Sequence, residues 1–246
     1  MKTLLKSVLL LFVISLILSA CNPVEPVEAI QSDLSRDTQP IIGEGDIASV
    51  AKGNNAFGWD LFQQLQSESG NLFYSPYSIS SALAMTWAGA RGDTETQMAQ
   101  VLHFNLDQVA LHPAFNGLML ALDSRAEAEG IEPDQAFKLN IANALWGQQG
   151  FAFLSEFLDT LALNYGAGLY LVDFQNDPEG ARKDVNDWVA RETEEKIKDI
   201  VPPGAIDAMT RLVLANAIYF KADWASEFSN CLLYTSDAAD EEDSVD

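Results

Sequence analysis

Apolar residues recur at helical spacing over much of the first half of the chain. The first such run follows Asp46, a residue type that caps helices, and its repeating positions lie three or four residues apart. This spacing predicts one amphipathic helix. Ser75-Pro76 predicts the start of a second helix, because proline fits the first helical turn. From Ile79 to Ala90 the second helix is apolar or small on nearly all sides, so we expect it to be buried.

Four further helices follow from local start signals and apolar spacing. Thr94 with Gln97 forms a capping-box pattern, which predicts the start of a third helix. The remaining predicted helices run from Pro113 to Ala128, from Phe153 to Leu163, and onward from Asp177-Pro178.

Strands are predicted where the apolar period changes to two. Phe137, Leu139, Ile141 and Leu145 alternate with more polar residues, and Asn143 interrupts the apolar set. Short strands are also predicted at Leu72 to Tyr74 and at Leu169 to Phe174. The run from Leu212 to Phe220 is apolar in both alternating sets, which predicts a central strand covered on both faces. Helices and strands intermix without a repeat, so we expect a single α+β domain over residues 46–228.

The N-terminus has the organisation of an export signal. Lys2 and Lys6 precede an uncharged stretch of 14 residues from Ser7 to Ala20, and a membrane-spanning helix needs roughly 20. The stretch ends in Leu18-Ser19-Ala20-Cys21, which is similar to a bacterial lipobox. We therefore expect a signal peptide over residues 1–20 and a lipid anchor on Cys21, which would place the protein in the cell envelope or on the extracellular face. An ordinary signal peptide with an incidental cysteine is the alternative.

Two segments lack apolar periodicity. Residues 21–45 are rich in proline and acidic residues and are expected to form a disordered tether. Residues 229–246 read SNCLLYTSDAADEEDSVD, which resembles translated sequencing-adapter sequence. We expect this stretch to be non-native, and a disordered acidic tail is the alternative.

Charge and composition narrow the class of function. The 246-residue chain carries 14 Lys and Arg against 36 Asp and Glu, a net charge of -22 that disfavours nucleic acid as a partner. Its two histidines, His103 and His112, have no flanking catalytic motif, and no serine lies in a G-x-S-x-G elbow. The sequence also lacks a zinc motif and a phosphate-binding glycine loop, so no metal, cofactor or catalytic residue is expected. A binding or inhibitory protein is favoured over an enzyme.

Two long segments resemble the serpin family, and the resemblance runs from about Ile47 to Phe228. NLFYSPYSISSALAMTWAGARGDTETQMAQVLHF, from Asn71 to Phe104, is similar to a strand and buried helix of the family. TRLVLANAIYFKADWASEF, from Thr210 to Phe228, is similar to its signature for a central strand. The resemblance implies an α+β, serpin-like fold in which helices surround a large central β-sheet, here truncated.

The family resemblance also implies a function and a set of sites. Serpins are suicide inhibitors: a target protease of the serine or cysteine type cleaves an exposed loop, which then inserts into the sheet. Ser75, Ser78 and Asn216 match the conformational shutter, where the sheet opens, and Trp224 matches the start of loop insertion. From the residues alone, each is equally well a satisfied buried polar group.

The reactive bond is absent from this chain, so the 246-residue chain itself is expected to be inactive. Two alternatives stay open at this stage. One is a non-inhibitory serpin-fold binding protein of the envelope. The other is an unrelated envelope hydrolase, for which the sequence shows no catalytic constellation.

Overall fold

The fold is an α+β arrangement in which helices pack on a mixed β-sheet. The computed structural model describes residues 29–30, 32–126 and 138–222. Within these ranges the helices are α1 Asp46–Leu65, α2 Pro76–Trp87, α3 Asp93–Val101, α4 Gln108–Ala126, α5 Ser155–Tyr165 and α6 Pro178–Glu192. The strands are β1 Ala29–Ile30, β2 Lys138–Gln148, β3 Leu169–Val172 and β4 Leu212–Lys221. The predicted α+β class is confirmed.

Two helices begin as the sequence predicts. At the start of α2 the Ser75 side chain accepts a hydrogen bond from the Ser78 amide at 3.2 Å, and Pro76 occupies the first turn. Asp177 caps α6 in the same way, accepting a hydrogen bond from the Gly180 amide at 2.9 Å. In both cases a local side-chain acceptor satisfies an amide that the helix leaves unpaired.

Two other helices begin earlier than expected. The residue before α3 is Gly92, with a φ of 64°, so Thr94 lies inside the first turn instead of capping it. Helix α4 begins at Gln108, and Asp107 accepts a hydrogen bond from the Ala110 amide at 3.0 Å. Pro113 therefore lies inside α4, where the sequence predicted the start of the helix.

The four described strands form one sheet in the order β1-β3-β2-β4. β2 pairs antiparallel with β4 over ten residue pairs from Lys138 to Gly147, and parallel with β3 over Leu145 to Gln148 only. The predicted strand at Leu72 to Tyr74 is not formed: no described strand lies beside these residues, so their backbone lacks the partner that a strand requires. β2 continues past its predicted end at Leu145, because it pairs with β4 as far as Gly147.

Both faces of the sheet are covered at its centre, as the sequence predicts for β4, but β4 is the last strand of the described sheet instead of a central one, and Leu212 and Phe220 near its ends are exposed. Helix α2 packs on one face of β4 and α6 on the other. The first face carries a core cluster that includes Met85, Phe115 and Leu145, and the second carries one that includes Trp146 and Val185. The centre of the sheet is therefore shielded from water on both sides.

The segment before α1 contacts the body, in contrast to the flexible tether expected over residues 21–45. β1 pairs with β3, and the Asp37 amide donates a hydrogen bond to the Leu163 carbonyl at 2.9 Å. The Asn116 side chain of α4 donates to the Asp37 carbonyl at 2.7 Å. The described part of this segment is held by residues distant in the sequence, which local composition does not reveal.

The predicted signal peptide and Cys21 lie outside the described residues, as does the acidic stretch over residues 229–246. In the part of the chain that the structure describes, no helix combines the length and apolar character needed to cross a bilayer.

One histidine lies in the core. His112 is 3 % exposed, and its Nδ1 lies 2.7 Å from the Tyr165 hydroxyl. Burial, together with the charge of Arg91, lowers the pKa of His112 from 6.5 to about 4. The ring is therefore neutral in the folded protein at pH values where it takes up a proton in the unfolded chain.

This burial makes stability depend on pH. Above pH 6.5 His112 is neutral in both states, and between pH 6.5 and 4 the unfolded chain binds a proton that the folded chain does not. The free energy of unfolding should fall over this window by on the order of 3 kcal/mol through His112. His112→Gln should flatten the dependence measured by urea unfolding. His103→Gln, which retains His112, should not, and equal slopes in wild type and H112Q would contradict the assignment.

Candidate functional site

A pair of asparagines faces each other at the centre of the sheet. Asn143 of β2 and Asn216 of β4 are directly opposite in the antiparallel register. Their neighbours along both strands are apolar or small, and Ala142, Ala144, Ala215 and Ala217 are all buried. Two partly buried amide side chains therefore meet between buried neighbours.

The amide of Asn216 links both strands to α2. Its Nδ2 lies 2.6 Å from Asn143 Oδ1, 2.6 Å from Ser78 Oγ and 3.2 Å from the Ser78 carbonyl oxygen. Asn143 Nδ2 in turn donates to Ser81 Oγ at 3.4 Å. We call Ser78, Ser81, Asn143 and Asn216 the polar lock.

Ser75 belongs to the helix start that positions the lock. Its hydroxyl accepts from the Ser78 amide, which fixes the first turn of α2, and no hydrogen bond joins it to Asn216 among the described residues. Of the three residues that the sequence matched to a shutter, the structure thus brings Ser78 and Asn216 into direct contact. Ser75 acts one step away, through the helix backbone.

Sequence reasoning missed Ser81 and Asn143 as members of the lock. Asn143 gave a signal, because it interrupts the apolar set of its strand as Asn216 does in β4. What the sequence lacks is the register that places these two residues opposite each other. Trp224, the predicted start of loop insertion, lies outside the described residues.

The lock holds two strands and a helix together through hydrogen bonds. A hydrogen bond between neutral groups adds about 1 kcal/mol net, whereas a buried polar group left without a partner costs about 1 to 3 kcal/mol. Ser78 and Ser81 are both at most 1 % exposed, so the lock is favourable only while its partners stay in register. Such a network can join two strands and a helix in one state and release them in another.

A second set of contacts fixes the end of α6 to the ends of the strands. Lys138 of β2 donates a hydrogen bond to Glu194 at 2.9 Å, and Asn140 donates to the Glu192 carbonyl at 2.9 Å. Hydrogen bonds from Lys138 and from the Tyr219 hydroxyl lower the pKa of Glu194. These contacts hold α6 across β2 and β4 on the face opposite α2.

The described residues do not assemble a catalytic site. His103 pairs with Asp60 at the surface and His112 with Tyr165 in the core, and neither is hydrogen-bonded to a described serine. Among these residues no group of three His, Cys, Asp or Glu side chains is arranged to hold a metal ion. The polar lock, which joins a helix to two strands at the centre of the sheet, is the candidate functional site.

The comparisons with known proteins give the family. The family described as "Serpin (serine protease inhibitor)" matches residues 52–237, well over half of the chain. The chain belongs to the serpin family.

Its relatives come from distant organisms. Human leukocyte elastase inhibitor is 41 % identical over 181 residues, which cover 73 % of this chain and 45 % of the relative. An uncharacterized serpin-like protein of Thermococcus kodakarensis is 39 % identical over 197 residues, covering 80 % of this chain and 44 % of the relative. The chain thus spans less than half the length of these curated relatives.

The fold is also that of solved serpin structures. Emu ovalbumin superposes with a TM-score of 0.64 at 31 % identity, covering 74 % of this chain and 49 % of the ovalbumin chain. The serpin-like architecture predicted from the sequence is confirmed.

Removing the central amide should destabilise the fold. Asn216→Ala leaves Ser78 and Asn143 without their donor, which should lower the free energy of unfolding by about 1 to 3 kcal/mol. Asn140→Ala, on the same strand as Asn143 but outside the lock, should cost less than about 1 kcal/mol. Urea unfolding of the 246-residue chain measures both. The double variant Asn143→Ala/Asn216→Ala should cost less than the sum of the single changes, and strictly additive effects would show that the two amides are not coupled.

Proposed function

We propose that this chain is part of an inhibitor of serine-type endopeptidases that acts as a suicide substrate. Membership of the serpin family and similarity to a protein named leukocyte elastase inhibitor support this function. The single observation that carries the proposal is the polar lock, in which two partly buried amides and two buried hydroxyls join a helix and two strands at the centre of the sheet. Because the chain spans less than half the length of its relatives, the proposal concerns the longest polypeptide that its gene encodes.

In the proposed mechanism the target protease attacks an exposed reactive loop. Its serine oxygen forms an ester with the loop carbonyl, the peptide bond breaks, and the new amine takes up a proton. The freed loop then enters the sheet as an added strand. Main-chain hydrogen bonds of the added strand drive insertion. Insertion moves the bound protease and distorts its active site, so the ester is not hydrolysed.

The lock accounts for the control of this insertion. In the described sheet β4 is the last strand, with β2 on one side, so an added strand would enter beside β4 on its other side. Insertion then requires β4 and its contacts with α2 to adjust. The Asn216 amide holds β4 to Ser78 before insertion, and a loop strand would offer new partners to the same groups. The lock therefore resists the separation of β4 from α2 until a cleaved loop can supply hydrogen-bond partners in place of those that are lost.

Helix α6 adds a second restraint. It packs on the opposite face of β4 and is fixed through Glu194 to Lys138 and Tyr219. A strand that widens the sheet beside β4 would strain these contacts, so α6 must shift for insertion to proceed. Both faces of β4 thus contribute to the barrier.

The proposed inhibitor acts from the cell envelope. The export signal over residues 1–20 and the lipobox ending at Cys21 support a lipid-anchored protein that meets its target protease outside the cytoplasm.

The inhibitory function predicts a covalent product. The longest polypeptide encoded by the gene should form complexes that survive boiling in detergent with at least one of a panel of trypsin-, chymotrypsin-, elastase- and subtilisin-like proteases. The 246-residue chain should form none, because no segment of it resembles the family's reactive loop. Denaturing gels measure the complexes. Complexes with the 246-residue chain would contradict this assignment of the loop, and none with the longer polypeptide would favour a non-inhibitory serpin-fold binding protein.

The lipid anchor predicts a membrane-bound protein that one substitution releases. Cys21→Ser removes the thiol that accepts the lipid, so the tagged variant should leave the membrane fraction while the wild type stays in it. Cys231→Ser, at the only other cysteine, is the matched control and should fractionate as wild type does. Equal membrane retention of wild type and C21S would rule out the lipoprotein assignment.

A further inference from the structure

An exposed apolar loop joins β2 to α5. Phe151 and Leu154 in this loop are 52 % and 72 % exposed, and Ala152 between them is exposed as well. Residues 149–155 contain no charged side chain, although the chain as a whole is strongly acidic. Single apolar residues are common on protein surfaces, whereas neighbouring ones without a charge between them indicate a surface that contacts something apolar.

The core behind this loop holds it in place. Phe153 packs against the core cluster on the first face of the sheet, and its ring centroid lies 6.4 Å from that of Phe151. The backbone turns at Gly150, whose φ of 79° suits a glycine, and the Phe151 amide donates a hydrogen bond to the Gln148 carbonyl at 3.2 Å. The turn therefore presents its apolar side chains outward on a fixed support.

The described N-terminal segment lies beside the same loop. Residues 32–34 line one cleft together with Ser155 and Asp159 of α5. The Ser32 hydroxyl donates a hydrogen bond to the Asp159 carboxylate, which fixes the segment to this helix. Ser155 directly follows Leu154 in the sequence. The N-terminal segment and the apolar loop therefore meet at the start of α5.

The proposed lipid anchor keeps this end of the molecule near the bilayer. Cys21 lies eleven residues before Ser32, and eleven residues span at most about 40 Å. An apolar contact that is too weak to hold a free protein on a membrane becomes effective when a tether confines it to such a distance, because its effective concentration is then high. The anchor therefore holds the loop within reach of the bilayer.

We propose that the loop over residues 149–155 lies on the lipid bilayer, with Phe151 and Leu154 inserted between the lipid headgroups, as a second membrane contact beside the lipid on Cys21. The contact is apolar, because the loop has no cation to attract anionic lipid and the net charge of -22 repels it. A zwitterionic bilayer is therefore the surface that fits this loop. The proposal rests on the lipid anchor proposed above.

This contact orients the sheet relative to the membrane. The loop follows the end of β2 at which Gly147 pairs with Leu212, the first residue of β4. β4 then runs away from this end for ten residues, or about 30 Å. Trp224, which the sequence matches to the start of loop insertion, follows the far end of β4 in the sequence. A protease approaching from the solvent thereby meets the end of β4 that points away from the bilayer.

Fluorescence from a dye on the loop tests the contact with an anchor that does not depend on lipidation in cells. The chain from Asn22 onward, which keeps every described residue, receives an N-terminal hexahistidine tag. The tag binds it to phosphatidylcholine vesicles that contain a nickel-chelating lipid. Cys231→Ser removes the remaining native thiol, and Ala152→Cys then carries an environment-sensitive nitrobenzoxadiazole dye.

The dye on the loop should enter the bilayer. Its emission should shift to the blue on vesicle binding, and lipids with a spin label on the acyl chain should quench it. The same dye on Lys196→Cys should show neither change. Lys196 is an exposed residue near Glu194, which accepts a hydrogen bond from Lys138 at the opposite end of β2. Raising the salt concentration should leave the quenching unchanged, because salt screens charges and not apolar contacts.

Two double variants separate the loop from other exposed apolar surface. Phe151→Ser/Leu154→Ser should abolish the blue shift and the quenching of the loop dye, whereas Trp59→Ser/Phe73→Ser should leave both unchanged. Trp59 and Phe73 are 67 % and 82 % exposed, and Trp59 lies beside Pro76 at the start of α2. The other end of α2, about 18 Å away, is the one that lies beside α5.

Equal signals from the dyes at the two positions would overturn the membrane contact, and this comparison leaves the loop's Phe151 and Leu154 intact. Unchanged quenching in Phe151→Ser/Leu154→Ser, with urea unfolding as in wild type, would overturn it as well, as would release of the dye by salt. Because the tag supplies the anchor, these results leave the lipoprotein assignment standing. That assignment is tested separately by the fractionation of Cys21→Ser.

Discussion

The contact between Asn143 and Asn216 is the interaction on which the centre of this structure depends. Two amides facing each other across buried strands are tolerated only if each finds a partner, since an unpaired amide there would cost more than the hydrogen bond contributes. The partners come from Ser78 and Ser81 on α2. Because these helix residues are small, α2 can lie close enough to the sheet for hydroxyl groups to reach the strands. The identity of the helix residues and the register of the strands therefore constrain each other.

The sheet is paired unevenly on the two edges of β2. β2 is paired with β4 along nearly its whole length, and the lock reinforces this pairing at its centre, whereas β3 covers β2 only near its C-terminal end. The open edge and the locked edge belong to the same strand and meet at Asn143. A change at the edge of β2 beside β3 is therefore close to the contact between Asn143 and Asn216, which joins β2 to β4.

The sequence predicted the elements whose signals are local. Ser75-Pro76 and Asp177-Pro178 each supply a cap and a first-turn proline within three residues, and both helices begin there. The start of α4 was placed too late, because Pro113 was taken as a start signal while the cap at Asp107 lies six residues earlier. The packing of residues 32–45 was not predicted, since the partners of Asp37, Asn116 and Leu163, are distant in the sequence. For the lock, Asn143 and Asn216 could be recognised as polar residues in apolar strands. That they face each other depends on the strand register, which the tertiary structure sets.

Two arginines show how this strongly acidic chain uses its few cations. Arg182 is buried, and each of its three guanidinium nitrogens has a partner, two on Glu179 and one on the Val201 carbonyl. Arg36 is held by similar kinds of partners, Asn116 and Asp123, but one nitrogen has none among the described residues. Acidic residues are plentiful in a chain of net charge -22, yet none of the described ones accepts a hydrogen bond from this nitrogen. The fold thus satisfies the buried Arg182 fully, whereas the partly exposed Arg36 keeps one nitrogen without a partner among the described residues. The difference follows from the partners within reach, because Glu179 presents both carboxylate oxygens to Arg182 whereas Asp123 approaches Arg36 only at Nη1.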